Sequence, residues 1–462
     1  MGQRSYNVND VDILFPFEPY SAQISFMEKV ITALQTPNTN ALLESPTGTG
    51  KTLCLLCSSL AWRQTYSACS QAYRLASNSS EAESLRKQLS EAAYGRGSAV
   101  SIAQSSQISF GSGGAVRVIY LSRTHGQLSQ VIRELRSTAY RPRISVLGSR
   151  QQLCVHPEVS KLRGAAQNCA CQKLVAAKAC PYHMRVMEHK YDKELAGGLM
   201  DIEDLCKHGQ QQKVCPYFLS REMANEAEVI FMPYNYLTDT ASRRSLGTLW
   251  HNSVAVFDEA HNLESILSES SSFDLRASNL ALAIAEVDRT EMLLKNDPSR
   301  FSAEGLTDPP TEIELRILKA LLLKLESVIR ELPLTGDPPS LTRGGEFIFE
   351  IFAAADIHQG NVEELLKMID RTSSVLSEGA SSNLSPALRS IGEALEMVFR
   401  GSESPGHGRK SHNSALYKVY VSEDTAAARP TDSRVNFSAV SAAPNSTGKG
   451  RSVGYWCFSA GR

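Results

Sequence analysis

The feature that most limits what this chain can fold into is the run Ser45-Pro46-Thr47-Gly48-Thr49-Gly50-Lys51-Thr52. Ala41-Leu42-Leu43 leads into it and Leu53-Cys54-Leu55-Leu56-Cys57 leads out, so the pattern predicts a strand, a glycine loop and a helix in succession. Gly48 and Gly50 let the backbone curl until successive N–H groups face inward on a phosphate chain. The following helix adds its free N–H groups and the positive end of its dipole. Lys51 is then placed for the β- and γ-phosphates, and the Thr52 hydroxyl for Mg²⁺. Ser45 stands where the strict pattern begins with Gly, a place that another small residue can fill.

A loop of this kind needs two complements, and both are present. Upstream, Phe17-Glu18-Pro19-Tyr20 is followed by Gln23 at the start of a helix-like stretch. The amide of Gln23 can pair with both the donor and the acceptor of adenine, with Tyr20 or Phe17 against the ring, so the expected nucleotide is ATP. Downstream, the buried-strand pattern Val254-Ala255-Val256-Phe257 delivers Asp258-Glu259-Ala260-His261. Asp258 is expected to hold the Mg²⁺ shell and Glu259 to orient and deprotonate the attacking water. His261 is expected to couple the strand end to a neighbouring element. Further apolar runs at Val118–Leu121, Ile144–Leu147 and Val229–Met232 alternate with helical patterns. That alternation predicts an α/β fold with a doubly wound parallel sheet, ligands gathering at the carboxyl ends of its strands. After the first of these runs, Ser122-Arg123-Thr124-His125 opens a helix, and Ser122, Arg123 and Thr124 are candidate contacts to a nucleic-acid phosphate. A plain helix cap would use the same residues.

With 48 Lys and Arg against 49 Asp and Glu, the formal net charge of the 462-residue chain is −1. That balance excludes a globally basic nucleic-acid binder, so any such surface must be a local stripe. Neither a membrane-spanning apolar run nor a signal-peptide pattern is present, and Tyr6 stands where myristoylation wants Ser or Thr. The expectation is a soluble intracellular protein of about three domains.

Ten cysteines in such a protein do not predict a disulfide framework, yet six of them fall between Cys154 and Cys215. Cys154, Cys171, Cys180 and Cys215 are well separated, and the last two each precede Pro-Tyr. Four thiolates could hold zinc or a cubane iron–sulfur cluster. The segment lacks the two tight Cys-x₂₋₄-Cys pairs of a zinc ribbon, which disfavours that alternative without establishing the other.

Residues 64–115 turn polar and small and predict a mobile insertion. From about 266 to 405 the pattern becomes helical; between Leu315 and Leu332 apolar residues recur at 318, 321, 322, 325, 328, 329 and 332, and Pro333 ends the run. Tyr417–Val421 predicts a strand returning to the first domain, residues 422–451 predict disorder, and Gly454–Phe458 is strand-like.

Taken together, Gln23, Ser45–Thr52, Ser122–His125, the cysteines 154, 171, 180 and 215, and Asp258–His261 resemble the iron–sulfur superfamily 2 DNA helicases of the XPD-like group. The resemblance is strong over residues 8 to 275, looser over the helical segment, and returns at Tyr417–Val421 and Tyr455–Phe458. It implies a P-loop RecA-like parallel-sheet motor domain with an inserted iron–sulfur domain and an inserted helical Arch domain. In those terms residues 1–150 and 221–265 are the two parts of the motor, 151–220 the cluster domain, 266–410 the Arch, and 411–462 a return strand and tail. It further implies that Cys154, Cys171, Cys180 and Cys215 bind a [4Fe–4S] cluster and that Cys169 and Cys206 do not. The implied activity is ATP- and Mg²⁺-dependent 5′ to 3′ DNA unwinding in DNA repair, recombination control and telomere maintenance. The implied partners are DNA, single-stranded and in branched or tailed duplexes, and repair or replication proteins, in the nucleus and without a membrane. The group continues past Tyr-Trp-Cys-Phe into a second motor domain, whereas here Ser459-Ala460-Gly461 leads to Arg462. The expectation is therefore a truncated chain with the second motor domain absent. Two alternatives stay open: an ATP- and DNA-binding remnant without activity, and a zinc-bearing P-loop ATPase with no nucleic-acid role.

Overall fold

The structure, a computed structural model, describes residues 4–36, 39–46, 48–76, 116–192, 195, 198–296, 309–336, 339–379, 387–399, 417–423, 433–439 and 454–459. They fall into two compact units, one of residues 1–162, 170–263 and 448–462, the other of residues 163–169 and 264–447.

The first unit opens with a hairpin, β1 (Arg4–Val8) and β2 (Val11–Phe15). Its two turn residues, Asn9 and Asp10, both have positive φ, the conformation that a two-residue hairpin turn requires and that Asn and Asp tolerate best. The side chains of Val11, Ile13 and Phe15 alternate into the core while Asp12 and Leu14 face out. The main sheet has six strands in the order β3 (Ala41–Glu44), β12 (Gly454–Ser459), β7 (Ser253–Phe257), β4 (Arg117–Ser122), β6 (Val229–Pro233) and β5 (Ile144–Val146). β7, β4, β6 and β5 are parallel, and β4 and β6 read as nearly unbroken apolar runs because both of their faces are covered. The helices Ser21–Gln35, Lys51–Ala76 and His125–Arg136 contribute Met27, Ile31, Leu56, Leu60 and Leu135 to the same core.

Two expectations change here. The sheet is not wholly parallel: β12 runs antiparallel to both β3 and β7, filling the place between them. The helix after the glycine loop reaches Ala76, so residues 64–76 are helical rather than part of an insertion; residues 77–115 of that expected insertion lie outside the described residues.

Among its described residues the second unit includes the helices Ala277–Asn296, Glu312–Arg330, Phe347–Ala354, Val362–Gly379 and Ala387–Phe399. The second begins at Thr311, whose hydroxyl accepts from the Glu314 amide while the Glu314 carboxylate accepts from Thr311 N–H, a reciprocal cap. It buries Leu315, Leu318, Leu322, Leu325 and Ile329, the stripe its periodicity predicts. Beside the helices is a four-stranded antiparallel sheet in the order β8 (Phe273–Arg276), β11 (Ser433–Ala439), β10 (Tyr417–Glu423) and β9 (Ser340–Gly344). The strand Tyr417–Val421 therefore does not return to the first unit. Val419 and Val421, on one face of β10, are buried in the second unit's core, and its two hydrogen-bonding edges are taken by β9 and β11. Residues 433–439, within the stretch expected to be disordered, form a strand; the rest of 424–451 lies outside the described residues.

Candidate functional site

At the carboxyl end of β3 the chain turns through Gly48 and Gly50, with φ of 81° and 70°, into the helix Lys51–Ala76. Thr47 lies outside the described residues. Lys51 is buried and curls back over its own loop, Nζ donating to the carbonyls of Ser45 at 3.0 Å and Pro46 at 3.3 Å. The Ser45 and Thr49 hydroxyls are 2.7 Å apart, and Thr49 also donates to the Pro46 carbonyl. Gln23 closes the other side. Its amide nitrogen donates to the Thr49 carbonyl at 2.9 Å and its oxygen accepts from Tyr20 N–H at 2.9 Å. A Cβ at Gly50 would come within 2.9 Å of that amide nitrogen, so the glycine serves both the left-handed turn and the close approach. Tyr20 and Phe17 are exposed beside it.

Facing the loop, β7 ends at Asp258, and the sheet brings it to the start of the loop's helix. Thr52 Oγ1 donates to Asp258 Oδ2 at 3.1 Å, and Tyr120 OH, from β4, donates to the same oxygen at 2.8 Å. Tyr234 OH donates to the Asp258 carbonyl. The second carboxylate oxygen, Oδ1, is buried without a hydrogen-bond partner among the described residues. Burial holds the Asp258 carboxyl above the usual carboxylate range, against the pull of the Tyr120 and Thr52 hydrogen bonds. A desolvated carboxylate with one oxygen unclaimed fits a cation, and Thr52 beside it supplies the hydroxyl that an octahedral Mg²⁺ shell would use. Glu259 sits in the left-handed region with φ of 57°, which turns its side chain away from the strand direction. His261 was expected to reach a neighbouring element. Instead its Nδ1 lies 3.2 Å from Glu259 Oε2, while Nε2 faces Asn262 at 2.8 Å.

Of the three candidate nucleic-acid contacts, Ser122 is buried and donates to Gln127 Oε1, so its hydroxyl is spent inside the protein. Arg123 and Thr124 are exposed; Thr124 caps the helix His125–Arg136 and Arg123 donates to Asn262 Oδ1 at 3.3 Å.

Cys154, Cys171, Cys180 and Cys215 line one cavity together with Val155, His156, Val159, Leu174, Tyr182 and Phe218. Their convergence follows from local structure. Cys154 ends the short helix Arg150–Leu153, Cys171 lies in the helix Gly164–Ala176, and Cys180 and Cys215 stand immediately before the helices Pro181–Met184 and Pro216–Glu226. Proline suits the first helical position, and Cys215 N–H donates to the Tyr182 carbonyl at 2.9 Å, which fastens the two Cys-Pro-Tyr turns together. Burial pushes the Cys215 thiol up to about 12, although the Phe218 and Tyr217 amides point at its sulfur. Burial likewise raises Cys154, with the proximity of Cys171 and Cys180 adding to it. Four converging sulfurs in an apolar cavity fit a thiolate-bound metal centre, whose positive charge would reverse those shifts. Cys169 and Cys206 do not line the cavity, and Cys206 instead donates its S–H to the Gln152 carbonyl.

Sequence reasoning missed Tyr120 and Tyr234. Each lies in or beside an apolar strand and reads as core; only the pairing of β4 with both β6 and β7 puts their hydroxyls at Asp258.

The DEAD_2 family model matches residues 120–280, and the model described as RTEL1 helicase, ARCH domain matches residues 282–460. Regulator of telomere elongation helicase 1 of Homo sapiens is 39% identical over 471 residues, covering 98% of this chain and 37% of that protein. The Oryza sativa subsp. japonica homolog is 38% identical over 473 residues, covering 99% of this chain and 44% of that protein. The chain thus spans less than half the length of these curated relatives. A solved structure described as XPD_Helicase superposes with a TM-score of 0.44 at 19% identity, covering 91% of this chain and 54% of that one. Over almost all of its length, this chain is similar to part of the regulators of telomere elongation helicase, and the DEAD_2 and ARCH models match two successive stretches of it.

Proposed function

We propose that this chain is the ATP-binding motor segment, with its cluster and Arch insertions, of an ATP-dependent 5′ to 3′ DNA helicase of the iron–sulfur group. The observation that carries the reading is the meeting of Thr52 and Asp258 beside the glycine loop, with Asp258 Oδ1 left for a cation. Gln23 recognises adenine. Ser45, Pro46, Thr47, Gly48, Thr49 and Gly50 form the loop around the phosphates, which its N–H groups bind while Pro46, having none, shapes the turn, and Lys51 leaves the Ser45 and Pro46 carbonyls for the terminal phosphates. Thr52 and Asp258 hold Mg²⁺, which when bound neutralises charge on the β- and γ-phosphate oxygens. Glu259 takes the proton of the attacking water, and His261 holds the Glu259 carboxylate in place.

Cys154, Cys171, Cys180 and Cys215 hold a [4Fe–4S] cluster, which fastens residues 151–220 as one domain. The helices from residue 266 onward, with the sheet of β8 to β11, form the Arch, and residues 1–150 and 221–265, with β12, the motor. Arg123 and Thr124 contact the backbone of single-stranded DNA, and the setting is nuclear, in telomere maintenance, recombination control and repair. The test is ATP hydrolysis by the purified chain with and without single-stranded DNA, beside Lys51→Ala. DNA-stimulated turnover that Lys51→Ala abolishes supports an enzyme. ATP and DNA binding without turnover would make the chain a binding remnant instead, and the absence of nucleotide binding would refute the site.

A further inference from the structure

Between Cys180 and Cys215, apart from the cysteine cavity, His189, Asp192 and His208 converge so that one ligand atom from each lies within 4.8 Å of the other two. We propose that these three side chains form a second metal site, for a divalent first-row transition cation such as Zn²⁺. Three parts of the chain supply it: the end of the short helix Val186–His189, the turn after it, and the helix Ile202–Gln212. His189 Nδ1 lies 2.7 Å from Asp192 Oδ2, and His208 Nε2 lies 3.8 Å from the same oxygen. Ligands about 2.0–2.1 Å from a tetrahedral zinc stand roughly 3.3 Å apart; the two separations at Asp192 bracket that spacing, and the two imidazole nitrogens, within 4.8 Å of each other, need only draw together to meet on one ion. The imidazole rings are nearly perpendicular, at 82°, with centroids 6.5 Å apart, so they are not stacked face to face.

The donor set decides the class of ion. Two imidazoles and one carboxylate suit Zn²⁺, Co²⁺ or Fe²⁺ and are poor ligands for Ca²⁺ or Mg²⁺, which take oxygen. His208 and His189 are largely buried, which fixes their rings, while the Asp192 side chain is 34% exposed, leaving an approach for the ion and for water as a fourth ligand.

Arg185 governs occupancy. Its Nη2 lies 2.9 Å from His189 Nε2, and a guanidinium can only donate, so in this state the His189 proton sits on Nδ1 and is given to Asp192. Binding a cation through Nδ1 moves that proton to Nε2, and Nη2 must then turn away. Arg185 keeps the Gln212 carbonyl, which its Nη1 reaches at 2.6 Å, and Glu188, 3.6 Å from its Nε. Arg185 therefore competes with the metal by charge and by hydrogen bond, and an occupied site ties the two helices together independently of the four cysteines.

Co²⁺ titrated into the full-length chain tests this, since thiolate ligands give intense charge-transfer bands and a histidine–carboxylate site gives only d–d bands. The difference spectrum between the wild type and Asp192→Asn is expected to show one equivalent of d–d absorption without thiolate character, displaced by Zn²⁺. The same absorption should be missing in His208→Gln, and Arg185→Gln should bind Co²⁺ several-fold more tightly. Should His208→Gln fail to fold, the more exposed Asp192→Asn and the wild-type titration still decide. The site is overturned if the wild type shows no such band, if the band persists in Asp192→Asn, if it carries thiolate character, or if Arg185→Gln binds more weakly.

Discussion

The Thr52 hydroxyl donates to the Asp258 carboxylate across 3.1 Å, although 206 residues separate the two along the chain. Both belong to the candidate nucleotide site, and their roles separate under mutation. Lys51→Ala is expected to weaken ATP binding by about 1.5–3 kcal/mol, the worth of a hydrogen bond to a charged group. Asp258→Ala is expected to leave binding largely intact and to remove its dependence on Mg²⁺. Titration of a fluorescent ATP analogue with and without Mg²⁺ measures both, and unchanged affinity in Lys51→Ala would sink the loop assignment.

Tyr120 holds the oxygen of Asp258 that Thr52 also uses. Partners that orient a metal ligand commonly contribute about 10- to 100-fold to metal affinity. Tyr120→Phe should therefore raise by at least about tenfold the Mg²⁺ concentration at which Mg²⁺ exerts half of its effect on nucleotide binding, while costing only about 1 kcal/mol of stability. Equal Mg²⁺ requirements in the two proteins would show that the hydroxyl is merely structural.

For the cysteine cavity, iron per chain is the direct measurement. Replacing Cys154, Cys171, Cys180 or Cys215 by Ser should lose iron and loosen residues 150–220 to proteolysis. Cys169→Ser and Cys206→Ser should keep it, since neither lines the cavity. Iron retained in Cys180→Ser, or lost in Cys206→Ser, would show the ligand set to be wrong.

Gly209 lets the helix Ile202–Gln212 lie directly on the turn that carries Cys215. A Cβ there would run into Pro216 and come within 2.8 Å of the Val214 carbonyl oxygen. Gly209→Ala should cost about 1–3 kcal/mol through overpacking. Hydrogen exchange would show it as faster exchange over residues 202–226, with weaker iron retention. Unaltered exchange there would mean that the turn yields freely.

In the second unit, buried Glu286 accepts from Leu388 N–H at 2.8 Å and Ala387 N–H at 3.4 Å, at the start of the helix Ala387–Phe399. Burial raises its carboxyl above the ordinary range and outweighs these two bonds, which pull it down. The folded chain thus holds this proton more tightly than the unfolded chain. The group's contribution is fully present below the ordinary carboxylate value and is lost as pH rises through the folded value. Exchange at Ala387 and Leu388, corrected for intrinsic base catalysis, should accelerate across that window in the wild type and stay flat in Glu286→Gln. The same slope in both proteins would assign the effect to another group.

The sequence by itself determined the elements whose signal is local. The glycine loop, the strand ending at Asp258, the cap at Thr124 and the stripe from Leu315 to Ile329 all show in short-range pattern, because each depends on the residues within a turn or two. The hairpin at Asn9-Asp10 came only from the structure, although its signal, two residues tolerant of positive φ beside an apolar alternation, is of the same local kind. Only the tertiary structure decided which elements meet. β10 has the same alternation whichever sheet receives it, and it joins β9 and β11 because their free edges and the core around Val419 and Val421 are in the second unit. Tyr120 and Tyr234 look like core residues until the order of β7, β4 and β6 points their hydroxyls at Asp258. The burial of Ser122, the convergence of four widely spaced cysteines and the meeting of His189 with His208 are likewise products of long-range packing. No short window of sequence encodes them, because a hydrogen bond or a ligand set depends on distance in space, and that distance is fixed only once the sheets and helices have closed on one another.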